Sequence, residues 1–149
     1  MIRKFLLVDD DPDDTDLFQE ALKNIDDNIE FYSGQDCNRI ISQLRDKEIQ
    51  PEIIFLDINM PDMNGWDCLA ALKSDEKLRN IPVVMYSTSS VMLDGRKAIT
   101  KGALGFLEKP PSFAELKDFL RKLIPASSAD LDNELKKIAA TKSHRLLVA

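Results

Sequence analysis

Apolar residues along this chain occur in two alternating patterns, short continuous runs and longer stretches with helical spacing. Five runs have the length of β-strands, at residues 2–8, 29–32, 53–56, 81–86 and 104–107. In the stretches between them apolar residues recur three and four positions apart, as Phe18, Ala21, Leu22 and Ile25 do in the first stretch. Strands that alternate with helices form βαβ units. The pattern therefore predicts an α/β fold with five strands in a mostly parallel sheet and five helices.

Length and composition indicate one soluble globular domain. The chain has 149 residues, of which 44% are apolar and 31% are charged, and this length suits a single domain with its own core. The apolar runs are too short to span a membrane, and residues 1–8 lack the small-residue cleavage site of a secretory signal. We therefore expect a cytoplasmic protein without membrane insertion.

Charge and residue types narrow the function. The net charge of −6 argues against direct binding of nucleic acid, which requires a basic face. The single histidine, His144, argues against a His-rich metal site and against a Ser-His-Asp triad. Cys37 and Cys68 do not have the spacing of metal ligands, and both lie in helical segments. We expect each cysteine to be a small buried side chain.

Polar side chains follow four of the five predicted strands, at the point where each strand ends. In an open α/β sheet, ligands bind outside the carboxyl ends of the strands, so we expect these side chains to meet at one edge. They provide three carboxylates, hydroxyl groups and one ammonium group: Asp9, Asp10, Asp57, Ser87, Thr88 and Lys109.

This set of side chains suits phosphoryl chemistry. Clustered carboxylates stay ionised together only with a cation between them, and a set of oxygen ligands without His or Cys suits Mg²⁺. A lysine and a hydroxyl are usual partners of a phosphoryl group. Since no candidate base accompanies a serine, the expected nucleophile is a carboxylate, which would form an aspartyl phosphate. Asp57 stands out because it ends a fully apolar strand, whereas we expect Asp11, Asp13, Asp14 and Asp62 to be ordinary turn and cap residues.

Four stretches of the sequence match one known family in order and spacing. They are Leu-Leu-Val-Asp-Asp-Asp-Pro at 6–12, Phe-Leu-Asp-Ile-Asn-Met-Pro-Asp-Met-Asn-Gly at 55–65, Val-Val-Met-Tyr-Ser-Thr at 83–88 and Gly-Phe-Leu-Glu-Lys-Pro at 105–110. Across residues 2–124 the chain thereby resembles the receiver domains of response regulators in two-component signalling, the CheY-like family. The resemblance implies a flavodoxin-like, doubly wound (βα)5 fold with strand order 2-1-3-4-5.

The resemblance also implies which residues bind the phosphoryl group and the metal. Asp57 would accept the phosphoryl group and contribute to the Mg²⁺ site. Asp10 would be a direct Mg²⁺ ligand, Asp9 would act largely through bound water, and Asn59 would supply its backbone carbonyl.

Five further residues correspond to the part of the family pattern that responds to phosphorylation. Ser87, followed by Thr88, would be the switch hydroxyl that binds a phosphoryl oxygen, and Lys109 would pair with the phosphoryl group. Pro110 would follow a cis peptide bond. Phe106 takes the place of the switch aromatic residue, often Tyr or His in the family; because Phe cannot donate a hydrogen bond, we expect a muted read-out.

The leading hypothesis is a stand-alone receiver that catalyses only its own phosphorylation and dephosphorylation. It would take its phosphoryl group from a sensor histidine kinase or a phosphotransfer protein and then switch its binding to a downstream protein. One alternative is a receiver-like binding module that phosphorylation does not regulate. Another is a Mg²⁺-dependent phosphatase of the haloacid-dehalogenase type, although Asn59 stands where such enzymes need an acid. The chain could also be a fragment of a hybrid kinase.

Residues 125–149 have no counterpart in a minimal receiver, which residues 1–124 would form. Leu131, Leu135, Ile138 and Ala139 share one face of a predicted helix. A helix of about a dozen residues is marginal alone in water, so we expect a partly helical extension whose apolar face packs on a partner surface. That surface is the chain's own receiver, a second copy in a homodimer, or the kinase.

Overall fold

The sheet has six strands, and five of them are those that the sequence predicts. In the computed structural model, which describes residues 1–149, they are β1 Lys4–Val8, β2 Glu30–Gly34, β3 Ile53–Leu56, β4 Val83–Ser87, β5 Gly105–Glu108 and β6 Leu146–Val148. The spatial order is β2-β1-β3-β4-β5-β6, with β1 to β5 parallel and β6 antiparallel to β5. The predicted five-stranded order 2-1-3-4-5 is confirmed, and the sixth strand is an addition to it.

Helices cover both faces of the sheet. They are α1 Pro12–Ile25, α2 Cys37–Arg45, α3 Gly65–Ser74, α4 Val91–Thr100, α5 Phe113–Leu123 and α6 Leu131–Ala140. Helices α1, α5 and α6 contribute to one apolar core, whereas α2, α3 and α4 contribute to the other. The central strands β3 and β4 are buried along their whole length, which explains their continuous apolar sequence. None of the helices combines the length and the apolar character that crossing a membrane requires.

The turns near the carboxyl ends of the strands use residues that suit the local backbone. Asp11 caps α1 by accepting a hydrogen bond from the N–H of Asp13, and Asp62 adopts the left-handed conformation with φ of 64°. A Cβ atom at Gly65 would clash with the backbone oxygen of Asp57. Only glycine therefore lets α3 begin directly against the end of β3.

Cys37 and Cys68 are buried, as expected, but they are bonded to each other. The disulfide joins the first residue of α2 to the first turn of α3, with 5.9 Å between the Cα atoms. The two helices cover the same face of the sheet, a proximity that sequence spacing does not reveal. Because disulfides are rare in the cytoplasm, where thiols are kept reduced, we expect two buried thiols if the protein resides there.

Residues 125–149 pack on their own receiver, which is one of the three surfaces that the sequence leaves open. A 3-10 turn at Ser128–Asp130 leads into α6, and Leu131, Leu135 and Ile138 are buried in the core shared with α1 and α5. The predicted helix and its apolar face are confirmed. A domain boundary after residue 124 stays a prediction, since the extension and the preceding residues share one core.

The last strand, β6, covers the outer edge of β5. Leu147 lies opposite Phe106 in the strand register, and its side chain reaches α4, where a Cβ atom on Gly95 would come within 2.9 Å of it. Just before the strand, His144 Nε2 lies 2.9 Å from Asp118 Oδ2 on α5. The strand is only three residues long, which is too short for its hydrophobic pattern to identify it in the sequence.

We predict that Leu135→Ala destabilises the protein by about 2–5 kcal/mol, since it leaves a cavity in a core where Leu135 is fully buried. Lys136→Ala, on the exposed side of the same helix, is the matched control and should change stability by less than about 0.5 kcal/mol. Urea unfolding of the full chain measures both values. Equal stabilities would contradict the packing of the extension into the core.

Candidate phosphoryl-acceptor site

Three carboxylates meet where β1 and β3 end side by side. The two strands are parallel neighbours, with Val8 opposite Leu56, so the residues that follow them emerge at the same edge of the sheet. Asp9, Asp10 and Asp57 each place a carboxylate oxygen within 4.8 Å of the others. Asp9 and Asp57 are buried, and Asp10 is the more exposed of the three. The sequence-predicted carboxylate cluster is therefore assembled in the fold.

Lys109 brings one positive charge into this cluster from the end of β5. Its backbone N–H donates to the carbonyl of Ser87, 2.8 Å away, which holds the residue beside the end of β4. The Nζ atom lies 2.9 Å from Asp9 Oδ2, 2.7 Å from Asp14 Oδ2 and 3.9 Å from Asp57 Oδ1. The ammonium group is thus shared among three carboxylates, and the carboxylate of Asp57 is the most distant of them.

Burial is the main cause of the shifted pKa values in the site. It raises the pKa of Asp57 to about 7; Asp9 acts in the same direction, whereas Lys109 opposes the shift. Burial also raises the pKa of Asp9. For Lys109, burial lowers the pKa, but the interactions with the carboxylates of Asp14 and Asp9 outweigh it, so this pKa is raised and the ammonium form is retained. The carboxylates therefore hold more negative charge than one lysine neutralises.

The donor set fits Mg²⁺. The side chains of Asp9, Asp10 and Asp57 all offer carboxylate oxygens, which this ion prefers. Asp9 Oδ2 is buried and accepts no hydrogen bond of adequate geometry, although Lys109 Nζ is close to it. A buried charged oxygen that is not fully satisfied is costly, and a cation shared by Asp9, Asp10 and Asp57 would remove this cost.

The hydroxyl-bearing residues at the end of β4 differ in exposure. Ser87 is fully buried, and its Oγ accepts a hydrogen bond of 3.2 Å from the N–H of Ser89. Thr88 is exposed. Of the two, Ser87 has the more restricted position, whereas the role of either residue toward a phosphoryl group stays a prediction.

Phe106 is fully buried in the core formed by α2, α3 and α4. Because Leu147 of β6 lies directly opposite it, an exposed position of the ring would require β6 to move. Asn59 is exposed two residues beyond Asp57, and its backbone N–H helps to lower the pKa of Asp57. The predicted use of its carbonyl as a metal ligand is not tested by these contacts and stays a prediction.

The expectation of a cis peptide bond before Pro110 is wrong, because every peptide bond in the chain is trans. The two isomers of an X–Pro bond differ by only about 0.5–1 kcal/mol, so local packing selects between them and a sequence motif alone does not. Here Pro111 follows directly and restricts Pro110 to extended backbone conformations.

Asp14 is the site residue that sequence reasoning missed. We expected a helix cap or turn residue, but its carboxylate is the one nearest to Lys109 Nζ. The available signal was its position: α1 begins at Pro12, directly after β1, so the first turn of this helix lies at the edge of the sheet that carries the site. Asp13, its neighbour in that turn, is exposed and makes no ion pair.

Comparison with known proteins identifies the family. Residues 5–121 match the response regulator receiver domain. This chain belongs to that family. The receiver is 30% identical, over 66% of this chain and 47% of the relative, to the two-component response regulator ARR7 of Arabidopsis thaliana. Receiver domains of this family act in phosphorylation-regulated two-component signalling, typically bind Mg²⁺ and interact with histidine kinases or phosphotransfer proteins.

Solved receiver structures share the fold. The phosphorylated cyanobacterial phytochrome response regulator RcpA is 30% identical, with a TM-score of 0.72, over 81% of this chain and 90% of that chain. The Mn²⁺-bound response regulator Rcp1 is 28% identical, with a TM-score of 0.69, over 80% and 89%. The receiver spans between about a third and a half of the length of the first curated relatives that it matches.

We predict that Asp57→Asn stabilises the metal-free receiver, on the order of a few kcal/mol at pH 8. Because the folded-state pKa of Asp57 is raised from 3.8 to about 7, the folded state binds more protons than the unfolded state between these pH values. The wild type therefore loses stability as the pH rises from about 4 to about 7, and the variant lacks this loss. Urea unfolding in EDTA across this pH range measures the difference.

Asp62→Asn is the matched control, because it removes an exposed carboxylate and Asn tolerates the left-handed backbone at this position. It should give the same pH dependence as the wild type. A wild-type stability that rises between pH 4 and pH 7 in parallel with Asp57→Asn would contradict the burial of an ionisable Asp57.

Proposed function

We propose that this chain is a stand-alone response regulator that accepts a phosphoryl group on Asp57 with the help of Mg²⁺ and thereby changes its binding to a downstream protein. The observation that carries the proposal is the position of Asp57: its carboxylate lies in the acidic cluster and 3.9 Å from the one lysine ammonium there. A carboxylate nucleophile beside a lysine and a hydroxyl matches the needs of phosphoryl transfer, which depends mainly on positioning and charge neutralisation.

In the proposed transfer, an Asp57 carboxylate oxygen attacks the phosphorus atom of the donor. A P–O bond to Asp57 forms while the P–N bond to the histidine of the kinase or phosphotransfer protein breaks, and the electron pair of that bond passes to the imidazole nitrogen. Lys109 moves toward the equatorial oxygens, where charge accumulates. In hydrolysis, water would attack the phosphorus atom, the P–O bond to Asp57 would break, and inorganic phosphate would leave, which regenerates the carboxylate of Asp57.

Asp9, Asp10 and Asp57, with the backbone carbonyl of Asn59, would hold the Mg²⁺ ion. When bound, the ion supplies positive charge that offsets the carboxylates and the incoming phosphoryl group. The carboxylates and the under-satisfied Asp9 Oδ2 support this assignment. Lys109 supplies the second positive charge, from the side of β5.

We further propose that Ser87 Oγ leaves the N–H of Ser89 and donates its hydrogen bond to a phosphoryl oxygen on Asp57. The β4–β5 pairing places Ser87 close to the start of the segment that carries Lys109. Since Phe106 is already buried under Leu147, a shift at Ser87 would reach the surface through β5 and β6 and not by exposure of the aromatic ring alone.

The same proposal includes the partners and the cellular location of the protein. The donor is a sensor histidine kinase or a phosphotransfer protein, the output is a protein partner, and the chain catalyses no reaction apart from its own phosphorylation and dephosphorylation. A cytoplasmic location agrees with such partners. A homodimer is not needed to cover α6, because its apolar face packs on its own receiver.

The alternatives receive less support. A haloacid-dehalogenase-type phosphatase would need an acid where Asn59 stands, and the match over residues 5–121 is to receiver domains. A binding module without phosphorylation would not need the Asp57, Asp10 and Lys109 set. The ion pairs of Lys109 favour a site that handles an anion.

We predict that the wild type gains one phosphoryl mass on incubation with acetyl phosphate and Mg²⁺, because Asp57 is the acceptor and the cluster needs a cation. Intact-mass spectrometry measures the gain, and EDTA should abolish it. Asp57→Asn should gain none, whereas the control Asp62→Asn should behave as the wild type. A phosphorylated Asp57→Asn protein, or phosphorylation insensitive to EDTA, would contradict the assignment.

We also predict that beryllofluoride, a phosphoryl mimic, shifts the backbone amide resonances of Ser87, Phe106 and Leu147 in the presence of Mg²⁺. The reason is the direct path from the site through β4 and β5 to β6. Two-dimensional ¹⁵N NMR measures the shifts, with Asp57→Asn as the variant that should show none. Changes confined to residues 9–10 and 57–59 would favour the binding module without a switch.

A further inference from the structure

The closest partner of the Lys109 ammonium is a carboxylate outside the three-carboxylate cluster. Asp14 Oδ2 lies 2.7 Å from Nζ, compared with 2.9 Å for Asp9 Oδ2 and 3.9 Å for Asp57 Oδ1. The ring of Tyr86 lies on the same side, 5.5 Å from Nζ to its centroid. Lys109 is therefore held away from the residue at which the phosphoryl group would arrive.

The two carboxylates that hold Lys109 differ in how well water can solvate them once the ammonium group has left. The side chain of Asp9 is fully buried, whereas that of Asp14 is 28% exposed. A released Asp14 can be hydrated, but a released Asp9 would be a buried charge with only the metal ion to neutralise it. An ammonium group has three N–H donors, so Lys109 can keep Asp9 and exchange Asp14 for an oxygen on Asp57. Asp14 is the partner that it would give up.

We propose that Asp14 is a positioning residue that retains Lys109 in the unphosphorylated receiver and so limits how readily Asp57 is phosphorylated. This inference rests on the proposed function. Before transfer, the Asp14–Lys109 ion pair competes with the attraction of Lys109 to the phosphoryl group. After transfer, Lys109 is already bound to that group, so Asp14 has little influence on its hydrolysis to inorganic phosphate.

The test compares Asp14→Asn with Asp13→Asn in the full chain. Both variants remove one negative charge from the first turn of α1, but only Asp14 contacts Lys109. We expect Asp14→Asn to raise the initial rate of phosphorylation by acetyl phosphate by about two- to fivefold, which is the effect expected for one partly exposed ion pair. The affinity for beryllofluoride with saturating Mg²⁺ should rise by the same factor. Dephosphorylation should change by less than this factor, and Asp13→Asn should resemble the wild type in all three measurements.

Two further measurements distinguish a positioning role of Asp14 from a merely structural one. The ¹⁵Nζ resonance of Lys109 should shift in Asp14→Asn but not in Asp13→Asn, and Asp14→Glu, which keeps the carboxylate, should return the rate toward the wild-type value. Equal effects of Asp14→Asn and Asp13→Asn, or a change confined to dephosphorylation, would overturn the inference. Failure of the proposed function is distinct, since the wild type would then neither gain a phosphoryl mass nor bind beryllofluoride.

Discussion

Charge neutralisation around one lysine governs this receiver. Four carboxylates, from Asp9, Asp10, Asp14 and Asp57, lie around or beside a cluster that contains a single ammonium group, that of Lys109. Like charges in a partly buried site raise one another's pKa unless a cation intervenes. Burial and these charges together raise the pKa of Asp57 to about 7, and a divalent cation at the cluster would offset the excess negative charge. Under the proposed function, a phosphoryl dianion would add to the same imbalance, so its arrival would require a movement of positive charge.

The fold provides this arrangement because parallel strands end at a common edge. β1 and β3 are adjacent and bring Asp9, Asp10 and Asp57 together, while β4 and β5 supply Ser87 and Lys109 from the other side. The apolar strands hold these residues in a rigid register, since nearly every strand residue before them is buried. Gly65 then lets the chain fold back tightly over the end of β3. Stability and site geometry thus depend on the same strands.

Sequence patterns were sufficient for the elements and for most of the site, but not for contacts between distant segments. The strand runs and the residues directly after them could be located because hydrophobic periodicity and strand ends are local properties. Asp14, the disulfide between Cys37 and Cys68, and β6 depend on which helices and strands become neighbours. The bond before Pro110 depends on a small energy difference that packing decides. Local sequence pattern and family resemblance either did not predict these features or predicted them wrongly.

The neighbour of Lys109 in the chain connects the site to the surface. Glu108 Oε1 accepts a hydrogen bond of 2.7 Å from the N–H of Val91 at the start of α4, and Glu108 Oε2 lies 3.7 Å from Arg145 Nε in the extension. If Lys109 moves toward Asp57 as proposed, it would pull on this adjacent residue, and therefore on both α4 and the segment that leads into β6. Because β6 pairs with β5 along its length, a shift of β5 would also displace the extension. Under the proposed function, the segment that covers the edge of the sheet would therefore be part of the path by which a charge change at Asp57 reaches the surface.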